Sequence, residues 1–422
     1  MVVFFLVSSG RGKLVLVPDE LSCHEVSMSE LIDQRAEFAN EAWGSLPDTI
    51  LTQIFFHLNV VDRCKASCVC RHWMHCIEIP LLWRKFSCGF FLPTQGNIIK
   101  CLKKYGRHVR DLSIELNQSE KTNRNNAVAV IDHVASLKEP RLTHLTISFR
   151  GENPLFYAGQ EFTSALKRLF ETIGKSDHCS LTHVNLRGLE SNFTDEFVNT
   201  LSSNCKNLEY LNLLNKVLVC NISAESIVTL IKKCKKLKIL HMYHASLSNN
   251  VLHAFAQSER EPLQRLGIVC RRQEKYGEDL IPSAWSDLLI RSPGLKVELG
   301  FDHTCPLHRV SEIMKPEIPV QELHLVTFSR IYPEVRLAAS YYRETLVKLV
   351  VQTRPSKELE EALLEVAQHC FLLHTLYVYC IVRKEIVNRI LELCPAMKTK
   401  KTYILKSEME PEPWTVGQEE GD

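Results

Sequence analysis

The chain has 422 residues, 45% of them hydrophobic and 24% charged, a globular composition with length enough for a large core or for two domains. Fifty-one Lys and Arg against 49 Asp and Glu leave a formal net charge of +2, which calls for neither nucleic acid nor an anionic membrane as partner. No apolar run approaches the roughly 20 residues that a membrane-spanning helix needs.

Residues 1–42 read as an N-terminal extension, partly disordered. Met1–Val7 is apolar, but it is too short for a signal-peptide core and has no positive stretch before it; Met28 would serve equally well as a start. Sixteen cysteines lie scattered without paired spacing, unlike the dense frameworks of small secreted domains. That pattern favours a reducing location, cytoplasmic or nuclear, where the Asn-x-Ser/Thr sequences at Asn117, Asn192 and Asn221 say nothing about glycans.

The next segment, 43–89, is dense in signals. Ser45-Leu46-Pro47-Asp48 combines a capping residue, a proline near the first helical position and an acid three residues after the serine. Ile50, Leu51, Ile54, Phe55 and Leu58 follow at positions that predict one apolar face of a helix. Asn59 breaks that helix, and Asp62 is placed to cap a second. Ala66, Val69, Cys70 and Trp73 repeat the spacing, and Pro80 stops the run before Leu82 and Trp83. Three short helices with this much apolar surface exceed what so small a unit can bury alone, so a docking partner is expected.

The run LPDTILTQIFFHL…VDRCKASCVCRHWMHC…PLLWRKF resembles an F-box, through Leu46-Pro47, Ile50, Leu51, Ile54, Leu58, Asp62-Arg63, Val69-Cys70, Arg71, Trp73 and Leu82-Trp83. Phe55 and Phe56 are bulkier than that pattern usually carries. The resemblance implies docking onto a Skp-type adaptor, with Leu46, Pro47, Ile50, Leu51, Ile54, Leu58, Val69, Cys70, Trp73, Leu82 and Trp83 as adaptor-binding residues.

From 105 to 405 a strand signature of the form Leu-x-x-Leu-x-Leu recurs. It runs from a degenerate Val109/Leu112/Ile114 through Leu142/Leu145/Ile147, Leu181/Val184/Leu186, Leu208/Leu211/Leu213 and Leu237/Leu240/Met242. It continues through Leu263/Leu266/Ile268, Leu295/Val297/Leu299, Val320/Leu323/Leu325 and Leu346/Leu349/Val351 to Leu373/Leu376/Val378. Helical sets lie between, among them Ile227/Leu230/Ile231/Cys234, Leu359/Leu363/Val366/Ala367/Cys370 and Ile386/Ile390/Leu393/Cys394. The stretch 115–135 has no clear signature, and a helix is expected over 160–173. Each strand-plus-helix unit buries its faces only against a neighbour, which predicts an α/β solenoid: a leucine-rich-repeat array with a concave parallel sheet and outer helices. Cys205, Cys234, Cys370 and Cys394 each stand three residues before a strand-opening apolar residue, closing the preceding helix as small packing groups. This form is similar to the cysteine-containing repeats of F-box/leucine-rich-repeat proteins. Residues 406–422 read as an acidic, proline-bearing tail whose Trp414 is placed to fold back.

Strand side chains alternate, so the residues flanking and separating the last two apolar positions should line the concave face. His183, Arg187, Tyr210, His241, Tyr243, His324, Tyr377 and Tyr379 are the candidate substrate-binding residues, with Asn185 and Asn212 beside them. Tyrosine suits a wet protein interface, although simple solvated sheet positions explain the same pattern.

Signals for chemistry are weak. Cys64, Cys68, Cys70, His72, His75 and Cys76 resemble a zinc set, but a helical register splits them over several faces. His303-x-Cys305-x-x-His308 lacks a second pair of ligands. Gly174-Lys175-Ser176 mimics a P-loop end, with Leu169 where the earlier glycine belongs. The lysines around Cys234 read as a solvated rim that complements a helix end. The chain is therefore expected to have no catalytic residues, no metal and no cofactor. The resemblance implies a substrate-recognition subunit of an SCF-type ubiquitin ligase, reaching a cullin and a RING-box subunit through the adaptor. A repeat scaffold that binds the adaptor without directing ubiquitin transfer is the alternative.

Overall fold

The computed structural model describes residues 6–9, 13–16, 46–92, 98–153, 159–176, 181–277 and 279–407. Packing divides the chain into two units, Met1–Pro154 and Leu155–Asp422. Trp43, Ser45 and the tail with Trp414 lie outside the described residues.

The first unit holds an antiparallel pair, β1 (Leu6–Ser9) and β2 (Lys13–Leu16). Three short helices follow: α1 (Asp48–Phe56), α2 (Val60–Ala66) and α3 (Arg71–Ile77), then a 3-10 turn at Pro80–Trp83. Pro47, not Ser45, stands at the cap position of α1. Asn59 is itself the cap of α2: its side chain accepts from the Asp62 N–H at 2.9 Å and donates to the Asp62 carboxylate at 2.6 Å. The break and the cap are one residue, because a reciprocal capping pair satisfies two groups at once. The unit closes with β3 (Lys85–Phe90), α4 (Ile98–Tyr105), β4 (Asp111–Asn117), α5 (Lys121–Ala135) and β5 (His144–Arg150), the three strands pairing in parallel. The unassigned stretch 115–135 is thus the end of a strand and a full helix. Its polar segment Lys121–Asn126 hid the buried set Ala127, Val130, Ile131 and Val134.

The second unit repeats the pattern in strict order. Its strands are β6 (His183–Asn185), β7 (Tyr210–Asn212), β8 (Ile239–Tyr243), β9 (Arg265–Cys270) and β10 (Lys296–Phe301). They continue as β11 (Val320–Val326), β12 (Lys348–Gln352), β13 (Thr375–Ile381) and β14 (Tyr403–Lys406). Each pairs in parallel with the next. The helix expected over 160–173 is α6 (Gln160–Lys175), and the three apolar sets are α8 (Ala224–Lys233), α13 (Lys357–His369) and α14 (Lys384–Leu393). The intervening helices α7 (Asp195–Asn204), α9 (Asn249–Ala256), α10 (Pro282–Arg291), α11 (Leu307–Ile313) and α12 (Tyr332–Tyr341) complete the layer, and α15 (Pro395–Lys400) precedes β14. The signature leucines are buried between sheet and helices.

The repeat cysteines stand where the spacing puts them. The N–H groups of Cys205, Cys234, Cys370 and Cys394 close their helices onto Leu201, Leu230, Val366 and Ile390. Their carbonyls then accept from Leu208, Leu237, Leu373 and Met397; the first three lead into the next strand, whereas Met397 lies in the helix Pro395–Lys400, which corrects its reading as strand-opening. Ser292 and Tyr342 make the same two bonds where no cysteine is present. The sulfurs of Cys64 on α2 and Cys101 on α4, 37 residues apart in the chain, stand together. Their Cα atoms are 7.3 Å apart, beyond the roughly 4.4–6.8 Å span of relaxed disulfides.

Candidate adaptor face and open sheet face

Helix α1 is apolar on two sides, which corrects the single apolar face its spacing predicts. Leu51 and Phe55 point into the first unit's core, where Val60, Ala66, Cys76, Ile77, Leu82 and Trp83 join them. Ile50 and Ile54, one turn apart, point outward at 43% and 38% exposure. Phe56, Val61, Val69, Met74 and Leu81 add further exposed apolar surface to the same small module.

The adaptor-binding set therefore divides. Pro47, Ile50, Ile54, Val69 and Cys70 are exposed, while Leu46, Leu58 and Trp73 are half-buried. Trp73 packs edge-on against Phe55, ring centroids 5.1 Å apart. Leu51, Leu82 and Trp83 are buried within the unit and cannot meet a docked partner, which corrects their placement on the adaptor face. Trp83 stacks on Tyr105 at 3.9 Å, and its indole N–H donates to the Ile77 carbonyl at 2.6 Å. Cys70 has a local task as well, its sulfur accepting from the Trp73 N–H at the start of α3.

A buried cation holds this arrangement together. The Arg63 guanidinium donates to the carbonyls of Phe55 and Phe56, both at 3.0 Å, and to that of Leu82. It satisfies the C-terminal end of α1 and ties it to the 3-10 turn. Of the six residues in the apparent zinc set, His72 and Cys76 come together in one cluster with Asp48 as its third member. The His72 imidazole contacts the Asp48 carboxylate at 2.6 Å and holds its carboxyl below the usual range.

On the second unit, the sheet face away from the helices carries the remaining candidates. His183 stacks on Tyr210 at 5.9 Å, and Tyr210 meets His241 at 5.8 Å, so these three form one aromatic row. Arg187 and Tyr379 are exposed; His324 and Tyr377 are half-buried. His241 and Tyr243 are buried, at 6% and 4%, and this corrects their reading as free contact residues. Tyr243 lies under the Arg271 guanidinium at 4.3 Å and donates its hydroxyl proton to the Asn215 carbonyl; burial pushes that hydroxyl up to about 12. Burial likewise lowers the His241 pKa below its ordinary value.

The centre of this face is electrostatic. Glu322 receives Arg265 and Lys348, both at 3.2 Å, with His324 at 3.8 Å. The imidazole first, then Lys348 and Arg265, bring its carboxyl down to about 2 against the opposing effect of burial. Arg265, Glu298, Glu322 and Lys348 stand outside the tyrosine and histidine pattern. The same alternation signals them, since each flanks or separates the apolar pair of its strand.

An F-box-like family model matches residues 43–89. F-box/LRR-repeat protein 8 of Bos taurus is 34% identical over 375 residues, covering 89% of this chain and 98% of that protein. The chain belongs to the F-box/leucine-rich-repeat family. The Homo sapiens F-box/LRR-repeat protein 8 is 32% identical over 377 residues, with 89% and 98% covered. F-box/LRR-repeat protein 21 of Mus musculus is 26% identical over 344 residues, covering 78% of this chain and 74% of that protein. In this F-box/leucine-rich-repeat protein the outward row Ile50/Ile54 belongs to the F-box, and the Tyr210 row and the Glu322 network belong to the repeats.

Proposed function

We propose that this chain is the substrate-recognition subunit of an SCF-type ubiquitin ligase. Its F-box docks on a Skp-type adaptor, and through it on a cullin and a RING-box subunit. The repeat array holds a protein substrate for ubiquitination and proteasomal degradation. The chain supplies no catalytic group; its contribution is proximity, raising the local concentration of target lysines at the charged E2. The cytoplasm, the nucleus or both are the proposed place of action.

The observation that carries this reading is the pair Ile50 and Ile54, left outward on a module whose inner face is already filled. Apolar anchors at the centre of a helical interface usually supply most of its energy. The double variant Ile50→Ser with Ile54→Ser tests it in a pull-down with purified Skp-type adaptor. Each isoleucine buried at an interface is worth about 1.5–3 kcal/mol, so affinity should drop at least about tenfold while the arc stays folded. Capture equal to wild type would remove the adaptor from the assignment. Ubiquitin transfer to a captured substrate in the reconstituted complex, abolished by the same variant, separates a ligase receptor from a passive scaffold.

A further inference from the structure

Among the described residues, three clusters bring His, Cys, Asp or Glu donors within 4.8 Å of one another. In Asp48/His72/Cys76, Asp48 is exposed and His72 half-exposed. In Glu298/Glu322/His324, Arg265 and Lys348 already neutralise Glu322. The third cluster, His244/Cys270/Glu274, is different in kind because all three residues are buried.

Its members come from successive levels of the second unit. His244 follows β8, Cys270 ends β9, and Glu274 sits in the 3-10 turn Arg272–Tyr276. A carboxylate at 1% exposure requires compensation. Among the described residues, the Glu274 carboxylate has one hydrogen-bond partner, His244 Nδ1 at 2.6 Å from Oε2, and its Oε1 has none. A small cavity lies beside His244, and the Trp285 and Arg309 N–H groups that border it, Nε1 and Nε, also have none. Cys305 is buried and stands outside this three-donor cluster. It is the centre of the His303-x-Cys305-x-x-His308 motif, which lacked a second ligand pair in the sequence.

We propose that His244 Nδ1, Cys270 Sγ and Glu274 Oε2 form a structural site for a zinc-class divalent cation, with a water in the fourth position. Nitrogen, thiolate and carboxylate are the donors zinc takes, in a tetrahedral arrangement. One thiolate and one carboxylate cancel the two charges of the ion, so the buried centre with three protein ligands is neutral. Binding releases the Cys270 thiol proton and leaves the His244 proton on Nε2, freeing Nδ1 as donor. Two ligands of one tetrahedral zinc stand about 3.3 Å apart for bonds near 2.0–2.1 Å, so the His244–Glu274 contact must open slightly around the ion. The ion would staple the turns after β8 and β9.

The full-length chain, loaded with one equivalent of Zn²⁺ and exchanged into metal-free buffer, should retain one ion per chain by elemental analysis. Its Co²⁺ form should show a thiolate-to-cobalt charge-transfer band. Glu274→Gln keeps a hydrogen-bonding group for His244 and should lower retention at least tenfold and abolish the rise in Tm that Zn²⁺ gives wild type. Cys270→Ser should remove the charge-transfer band. His72→Ala should change none of these. Three results would each overturn the site: no zinc retained by wild type, a wild-type cobalt complex without the thiolate band, or retention lost with His72→Ala but kept with Glu274→Gln.

Discussion

The imidazole of His241 lies over Gly267 on the neighbouring strand, and a Cβ at position 267 would stand 2.0 Å from its Nδ1. His241, Gly267 and Glu298 are register partners on β8, β9 and β10. Strands lie about 4.8 Å apart, and with no side chain at position 267 the short imidazole on β8 can lean across β9 toward β10. The missing side chain lets His241 Nδ1 come within 3.7 Å of the Glu298 carboxylate.

Gly267→Ala should therefore force the His241 ring out of a buried position and destabilise the second unit by about 1–3 kcal/mol. Gly300→Ala is the control: its nearest neighbour would be Val269 Cγ2 at 3.6 Å, an ordinary contact. That variant should be neutral or slightly stabilising, because alanine restricts the unfolded chain. Urea unfolding followed by circular dichroism compares the two, and equal midpoints would contradict the close approach.

The same histidine predicts a pH dependence. Burial, the largest influence, lowers its pKa from 6.5, with Glu298 partly opposing. The folded chain then binds fewer protons than the unfolded chain just below pH 6.5, so stability rises with pH across that window. The contribution of His241 is complete above 6.5 and is lost as pH falls toward the folded pKa. In His241→Gln the stability profile below pH 6.5 should be flatter than in wild type; parallel profiles would show that His241 does not titrate differently on folding.

Arg63 should be intolerant even of lysine. Its planar fork reaches carbonyls on two elements, which a single ammonium cannot span. Arg63→Lys should lower the stability of α1–α3 by about 2–3 kcal/mol, read as faster hydrogen exchange of their amides with exchange in the second unit unchanged.

The cysteines should separate by accessibility. Burial pushes the Cys370 and Cys88 thiols up to about 12, and Cys394 is raised by the same cause. Cys68 and Cys70 are exposed. Alkylation followed by mass spectrometry should label Cys68 and Cys70 within minutes, and Cys88, Cys370 and Cys394 only after denaturant is added. Rapid native labelling of Cys370 and Cys394 would contradict their place at the helix ends.

The repeats were legible because their information is local. Leu-x-x-Leu-x-Leu selects a strand face, and Cys-x-x-Leu sets where a helix stops and the next strand begins, with no reference to distant residues. β3 and β14 were missed for the same reason: Phe86, Cys88 and Phe90 alternate, but they stand at the end of the F-box pattern, and Tyr403–Lys406 is too short to carry a signature. In the F-box, helical spacing identified the apolar residues of α1. It put Ile50 and Ile54 on the same face as Leu51 and Phe55, whereas the first pair faces out and the second in, because both pairs obey the same period and only the packing of α2, α3 and the Pro80–Trp83 turn fills one side. On the sheet, alternation named His241 and Tyr243 as face residues, yet both are buried. One leans over a neighbouring glycine and the other lies under Arg271, contacts between strands that no single strand's pattern contains. The cluster His244/Cys270/Glu274 draws on three segments spread over thirty residues of chain, and only the stacking of one repeat on the next brings them together.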